Sequence, residues 1–160
     1  MSLRSEKYDA VVAAIVSLLE DETDWVATLA TTACELHHEF DHFDWTGFYR
    51  VVAPEMMVIG PYQGTHGCLR IPFSRGVCGA AARQKSTIIV PDVNQFVDHI
   101  ACSSTTKSEI VVPVFSKAGD LLGVLDVDSN TIAAFNDDDR LGLERVCKLV
   151  GDRWAPGLAG

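Results

Sequence analysis

Trp45-Thr-Gly-Phe-Tyr-Arg-Val-Val52 is the stretch where the texture of this chain changes. It is aromatic and β-branched, which suits a pleated strand. Ala53-Pro54-Glu55 turns the chain, and Met56-Met-Val-Ile-Gly60 supplies a second strand, so the two are expected to pair as a hairpin. Upstream the period is helical. Tyr8, Val11, Val12, Ile15, Leu18 and Leu19 form one apolar face, and Trp25, Val26, Leu29, Ala33, Leu36 and Phe40 form another on a helix from about 24 to 40. Downstream, Gly64 to Gly67 is a loop, 69–73 a short extended stretch, 76–83 a short helix, and 86–90 a strand ended by Pro91. A long polar connection follows over 94–107. Residues 109–115 and 121–127 are the last strands, and Asn136 is expected to cap a closing helix whose apolar face carries Leu143, Val146, Cys147, Val150 and Trp154. Asp137, Asp138 and Asp139 in its first turn suit the helix dipole. Two helices, five or six mostly antiparallel strands and a closing helix make an α+β domain, with helices layered on a sheet.

A chain of 160 residues and 17.4 kDa is expected to be one domain, spanning 1–160. Its charged fraction of 22% and hydrophobic fraction of 48% belong to a globular protein rather than a disordered one. The net charge of −9 is unevenly spread: residues 1–44 hold ten acids against two bases, while residues 45–136 hold seven of each. A phosphate-backbone binder needs a basic surface, so nucleic acid is not an expected partner. The N-terminal residues are too charged for a signal peptide. The longest apolar run there, Ala10 to Leu19, is far short of the ~20 residues of a membrane span. Five cysteines without a secretory signal point to a reducing, cytoplasmic setting, where a disulfide is transient or catalytic.

Four features bear on chemistry. His38-Glu-Phe-Asp-His42 satisfies the H-E-x-x-H zinc pattern. Stepping 100° per residue places both imidazoles opposite the apolar stripe, so they are expected to face solvent. Cys68, Cys78 and Cys102 form no C-x-x-C pair, so their spacing does not suggest zinc. They lie among glycines and polar residues, in accessible loops or element ends, unless they are buried small hydrophobes. Cys78 near a helix start is expected to favour thiolate. Cys34 and Cys147 are expected to be inert packing residues. Asp126 and Asp128 alternate with Leu125 and Val127, so both carboxylates point to one face of a strand, with Glu109 as a possible third. If that face is buried, a substrate ammonium, a metal ion or an arginine must sit beside them; otherwise they are a solvent-facing pair. Trp45 and Tyr49, four apart, share a face and either pack in a core or wall a cavity.

Taken together, these segments resemble the free methionine-(R)-sulfoxide reductases, a family built on the GAF domain. The resemblance rests on Trp45-Thr-Gly-Phe-Tyr49, Gly60-Pro-Tyr-Gln-Gly64, Cys68-Leu-Arg-Ile-Pro-Phe73, Gly76-Val-Cys-Gly79, His99-Ile-Ala-Cys102, Ser108-Glu-Ile-Val-Val-Pro113 and Gly123-Val-Leu-Asp-Val-Asp-Ser129, in the family's order. It implies a GAF-like six-stranded antiparallel sheet flanked by N-terminal helices and a C-terminal helix, and a cytosolic homodimer. It further implies Cys102 as the nucleophile, Cys68 as the resolving cysteine and Cys78 as an alternative partner near the substrate. Thioredoxin or a similar dithiol would restore the thiols, with no metal or organic cofactor. Glu109, Asp126 and Asp128 resemble the family's acidic cluster, which holds the substrate ammonium, and Trp45 and Tyr49 the wall that receives its methyl end. Backbone N–H groups between Cys68 and Cys78 are the natural partners of its carboxylate. Ser103 departs from the acid that follows the nucleophile in many relatives, and Gly67 and Ser74 are also unusual. The competing reading is a ligand-sensing GAF module without chemistry.

Overall fold

Side chains alternate across a strand, so the sequence of the two long C-terminal strands decides what each face of the sheet carries. In the computed structural model, which describes residues 1–100 and 102–157, these strands are β5 (Ser108–Phe115) and β6 (Leu121–Ser129). Ile110, Val112, Val114, Leu125 and Val127 point one way into an apolar core. Val111 and Val124 point the other way into a second core, and Glu109, Asp126 and Asp128 share that side.

Four more strands complete an antiparallel sheet: β1 (Trp45–Ala53), β2 (Met56–Gln63), β3 (Arg70–Pro72) and β4 (Ile88–Val90). The order is β3-β2-β1-β6-β5-β4. The hairpin expected at 45–60 is the β1–β2 pair, and β1 also pairs with β6, which places the two aromatic residues beside the aspartates. Both outer strands are shorter than their sequence runs suggested, three residues each.

Helices α1 (Leu3–Leu18), α2 (Trp25–Glu39) and α4 (Asp137–Asp152) cover the first core. Helix α3 (Gly76–Gln84) covers the second, with Val77, Cys78, Ala81 and Ala82 turned inward. Asn136 caps α4 as expected, accepting from the Asp138 and Asp139 N–H groups. Leu18 and Val26 depart from the expected apolar faces and are 57% and 45% exposed. The apolar residues those helices bury are Tyr8, Val11 and Ile15 in one and Trp25, Leu29, Ala33 and Leu36 in the other, which leaves both at the margin of their stripes. Trp154 lies beyond the end of α4 but still packs against the core.

His42 corrects the solvent-face reading of the H-E-x-x-H pair. Helix α2 ends at Glu39 and Phe40 is already extended, so the helical projection does not reach His42. His38 is exposed, with its Nδ1 2.8 Å from the Cys34 carbonyl oxygen. His42 instead packs beside Phe43 and Phe135, with Nε2 3.2 Å from Asp139. The two imidazoles therefore have separate surroundings and do not share a helix face.

Asp139 ties α1, α4 and the lead into β1 together. Its fully buried carboxylate accepts from the Tyr8 hydroxyl at 2.8 Å, from Arg4 Nη1 at 2.7 Å and from the Asn136 N–H at 3.0 Å. Burial alone would raise its pKa, but the bonds from His42, Asn136 and Tyr8 outweigh burial and hold it below the usual range. That stabilisation is present above the unfolded carboxylate value of about 3.9 and is lost as pH falls through the depressed folded value. Asp139→Ala strands the buried Tyr8 hydroxyl and leaves the part-buried Arg4 without its carboxylate, and is expected to cost about 3 kcal/mol. Urea denaturation at neutral pH measures it, and a loss under about 1 kcal/mol would show that the cluster does not hold the helices together.

Candidate active site

The register of three adjacent strands builds the site. Trp45 lies opposite Asp128, and Asp128 lies opposite Glu109; one row on, Gly47 lies opposite Asp126. Gly47 is required here, because a Cβ on it would lie 2.5 Å from the Trp45 ring, which lies back across the strand. The Trp45 and Tyr49 rings stack with centroids 6.0 Å apart, and Trp45 Nε1 donates to the Thr65 carbonyl at 2.7 Å. The aromatic pair thus does both things the sequence allowed: it packs in the second core and also walls a cleft.

The cleft has a volume of about 40 Å³. Glu109, Asp126 and Asp128 line it together with His99, Cys78 and Cys102, and no lysine or arginine is among its described lining residues. Glu109 and Asp126 are buried, and Asp128 is half-buried. Oδ1 of Asp126 and Oδ1 of Asp128 have no hydrogen-bond partner among the described residues. Burial pushes all three carboxyls up from their ordinary values, and the Asp126 charge pushes Glu109 and Asp128 further. Asp126 is partly relieved by hydrogen bonds from Glu109 and Cys78. The nearest positive candidate is His99, whose Nε2 lies 3.9 Å from Glu109 Oε1. Burial lowers its pKa, with Asp126 acting in the opposite direction. An acidic pocket so built, with unpartnered oxygens and no fixed cation in its wall, is electrostatically incomplete.

Cys68 and Cys102 are joined in a disulfide, with Cα atoms 5.5 Å apart, across 34 positions of sequence. Cys68 lies between β2 and β3, and Cys102 follows the connection that bonds back to α3 through the Asp98 carbonyl and the Gly76 N–H. Ser103 Oγ lies 3.0 Å from Thr105 Oγ1, a local bond within that connection.

Cys78 corrects the expectation of an accessible thiolate. It lies in the first turn of α3, but it is 3% exposed. Burial, and then Asp126, Glu109 and Asp128, push its thiol well above the ordinary value. Burial and surrounding negative charge outweigh the helix dipole. Cys147 is an inert core thiol as expected, its pKa raised by burial, whereas Cys34 is only half-buried.

The eight residues singled out from sequence thus meet in one place: seven line the cleft, and Cys68 is bonded to one of the seven. Sequence reading gave no role to His66, Gly67 and His99, which also line it. A histidine three positions before Cys102 was the available signal for His99.

Comparisons with known proteins agree with this geometry. The family model described as the GAF domain matches residues 6–153. A GAF domain-containing protein A of Dictyostelium discoideum is 44% identical, covering 92% of each chain. A free methionine-R-sulfoxide reductase of Saccharomyces cerevisiae is 38% identical over 92% of this chain and 85% of its own. The X-ray structure of free methionine-R-sulfoxide reductase from Neisseria meningitidis in complex with its substrate matches with a TM-score of 0.90 and 46% identity. It covers 96% of this chain and 91% of that one. With a six-stranded antiparallel sheet in agreement, the chain belongs to the GAF-domain family, among its free methionine-R-sulfoxide reductases.

Proposed function

We propose that this chain reduces free L-methionine-(R)-sulfoxide to L-methionine by cysteine chemistry. The observation that carries the reading is the Cys68–Cys102 disulfide beside a pocket walled by three carboxylates without a fixed cation. The Cys102 thiolate attacks the sulfoxide sulfur, and the oxygen takes up one proton. Methionine departs, and the oxygen passes to Cys102 as a sulfenic acid. The Cys68 thiol then attacks that sulfur and expels water, leaving the disulfide. A thioredoxin-type dithiol returns both thiols by exchange. Cys68 is preferred to Cys78 as the resolving partner, since Cys78 is free and buried.

The raised carboxyls suit two tasks. One or two, ionised, hold the substrate ammonium; a protonated neighbour donates to the departing oxygen. A peptide-bound methionine presents an amide there and gains nothing from the charge. Trp45 and Tyr49 receive the methyl end. The first turn of α3 is not capped by the Arg75 side chain, so N–H groups of Val77 and Cys78 suit the substrate carboxylate. The chain works as one cytoplasmic domain, in a homodimer, without a cofactor. Among its described residues no helix is long and apolar enough to cross a membrane.

The test is an NADPH-coupled assay with thioredoxin and its reductase, comparing R and S epimers, free and within a peptide. Turnover of the free R epimer alone is expected. Equal turnover of a peptide-bound sulfoxide would remove the ammonium argument.

The raised carboxyls also set a pH dependence. The unliganded chain keeps these protons above the unfolded values of about 4, and it loses stability as pH rises through the folded ones. An ammonium ligand needs the ionised forms. The rise in melting temperature produced by methionine is therefore expected to grow as pH increases towards the amino group's own titration. Scanning fluorimetry of the reduced chain measures it, and a shift that shrinks with pH over that range contradicts the cradle.

A further inference from the structure

Cys78 has no redox partner, yet its sulfur sits among the carboxylates. One donor atom each from Cys78, Glu109 and Asp126 lie within 4.8 Å of one another, all three residues buried. Asp126 is 5% exposed and carries an unpartnered Oδ1 facing the cleft, so a cationic ligand is wanted there independently of the sulfur. Ligands of a tetrahedral zinc ion lie about 3.3–3.5 Å apart for bonds of 2.0–2.3 Å. From 4.8 Å the cluster reaches that by contracting by up to about 1.5 Å through small side-chain torsions. His99 lies outside that cluster, and its Nε2, 3.9 Å from Glu109 Oε1, has to swing inward to add an imidazole as the fourth ligand. A thiolate, an imidazole and two carboxylate oxygens select zinc over magnesium or calcium, which prefer oxygen alone. The cleft's volume of about 40 Å³ holds an ion and a water or two.

We propose that Cys78, Glu109, Asp126 and His99 form an inhibitory zinc site in the floor of the cleft, available whether or not Cys68 and Cys102 are bonded. Zinc here is no part of catalysis. It takes the carboxylates assigned above to the substrate ammonium, and to that extent its inhibitory character rests on the proposed function. The site itself rests on the donor geometry.

The experiment uses the full chain in its disulfide form, which removes Cys68 and Cys102 as competing thiols. Cobalt(II) is titrated as the spectroscopic probe, and zinc is then added to displace it. A one-to-one thiolate-to-cobalt charge-transfer band is expected. It should be lost in Cys78→Ser and Cys78→Ala, weakened at least about tenfold in affinity in Asp126→Asn, and unchanged in Cys34→Ser. Circular dichroism checks that each variant is folded. Absence of the band, its survival in the folded Cys78 variants, or its loss in Cys34→Ser overturns the site. The last result would place the metal on the exposed pair Cys34 and His38, where Sγ and Nδ1 are 3.7 Å apart. With the reduced enzyme, zinc should raise KM in the parent by more than in Cys78→Ser. If the band behaves as expected and KM does not move, the site stands and the ammonium assignment falls.

Discussion

Cys102→Ser is expected to lower kcat for free methionine-(R)-sulfoxide by at least about 10⁴-fold, close to the uncatalysed background. A serine hydroxyl is neither ionised nor nucleophilic enough to attack sulfur, and no other thiol is placed to substitute. Cys78 is buried with its proton held by surrounding carboxylates. The companion variant separates the two halves of the cycle. Cys68→Ser keeps Cys102, the proposed nucleophile, but lacks the thiol that Cys102 is bonded to. It should release one methionine per chain in a burst and then stall as the sulfenic acid, which a small external thiol rescues. Rapid-quench measurement of methionine, with mass spectrometry of Cys102, reads both outcomes. Steady turnover by Cys102→Ser would move the nucleophile elsewhere.

Asp126→Asn is expected to raise KM about 100-fold, with a smaller change in kcat. Removing one member of a buried ion pair typically costs about 3–5 kcal/mol, part of which the neighbouring carboxylates recover. Asp126 lies between Gly47 and Val111 on a central strand, with Glu109 and Asp128 beside it in the sheet, so the neighbours make good only part of its charge. The same substitution should leave the unliganded chain more stable. Asp126 has an unpartnered buried oxygen, and its charge raises the cost of ionising both neighbours. A variant with higher melting temperature and poorer KM is the signature of a group kept for ligand binding at the expense of folding. An unchanged KM would sever Asp126 from the ammonium. A lowered melting temperature would show that the hydrogen bonds it accepts from Glu109 and Cys78 outweigh the relief of buried charge.

Much of this was legible because strand periodicity is a local property. Glu109, Asp126 and Asp128 fall on one face by alternation alone, and so do Trp45 and Tyr49. Joining those faces needed the β1–β6 pairing, which local sequence does not specify; the family resemblance supplied it. The misreadings have a common cause. The helical projection carries His42 along a helix that stops at Glu39, and the dipole argument considers Cys78 on its own helix alone. In both, the environment comes from distant chain: Phe135 and Asp139 for His42, Asp126 and Glu109 for Cys78. Leu18 and Val26 show the same limit more mildly, since a stripe's edges are set by what it packs against.

The volume of about 40 Å³ left in the cleft beside the bonded Cys102 has a kinetic corollary. An amino acid the size of methionine needs several times the space of the two or three waters that would fit. Product must therefore vacate before, or as, the sulfurs join. The two half-reactions then alternate on an otherwise unoccupied protein, and reciprocal rate plots at different reductant concentrations should run parallel.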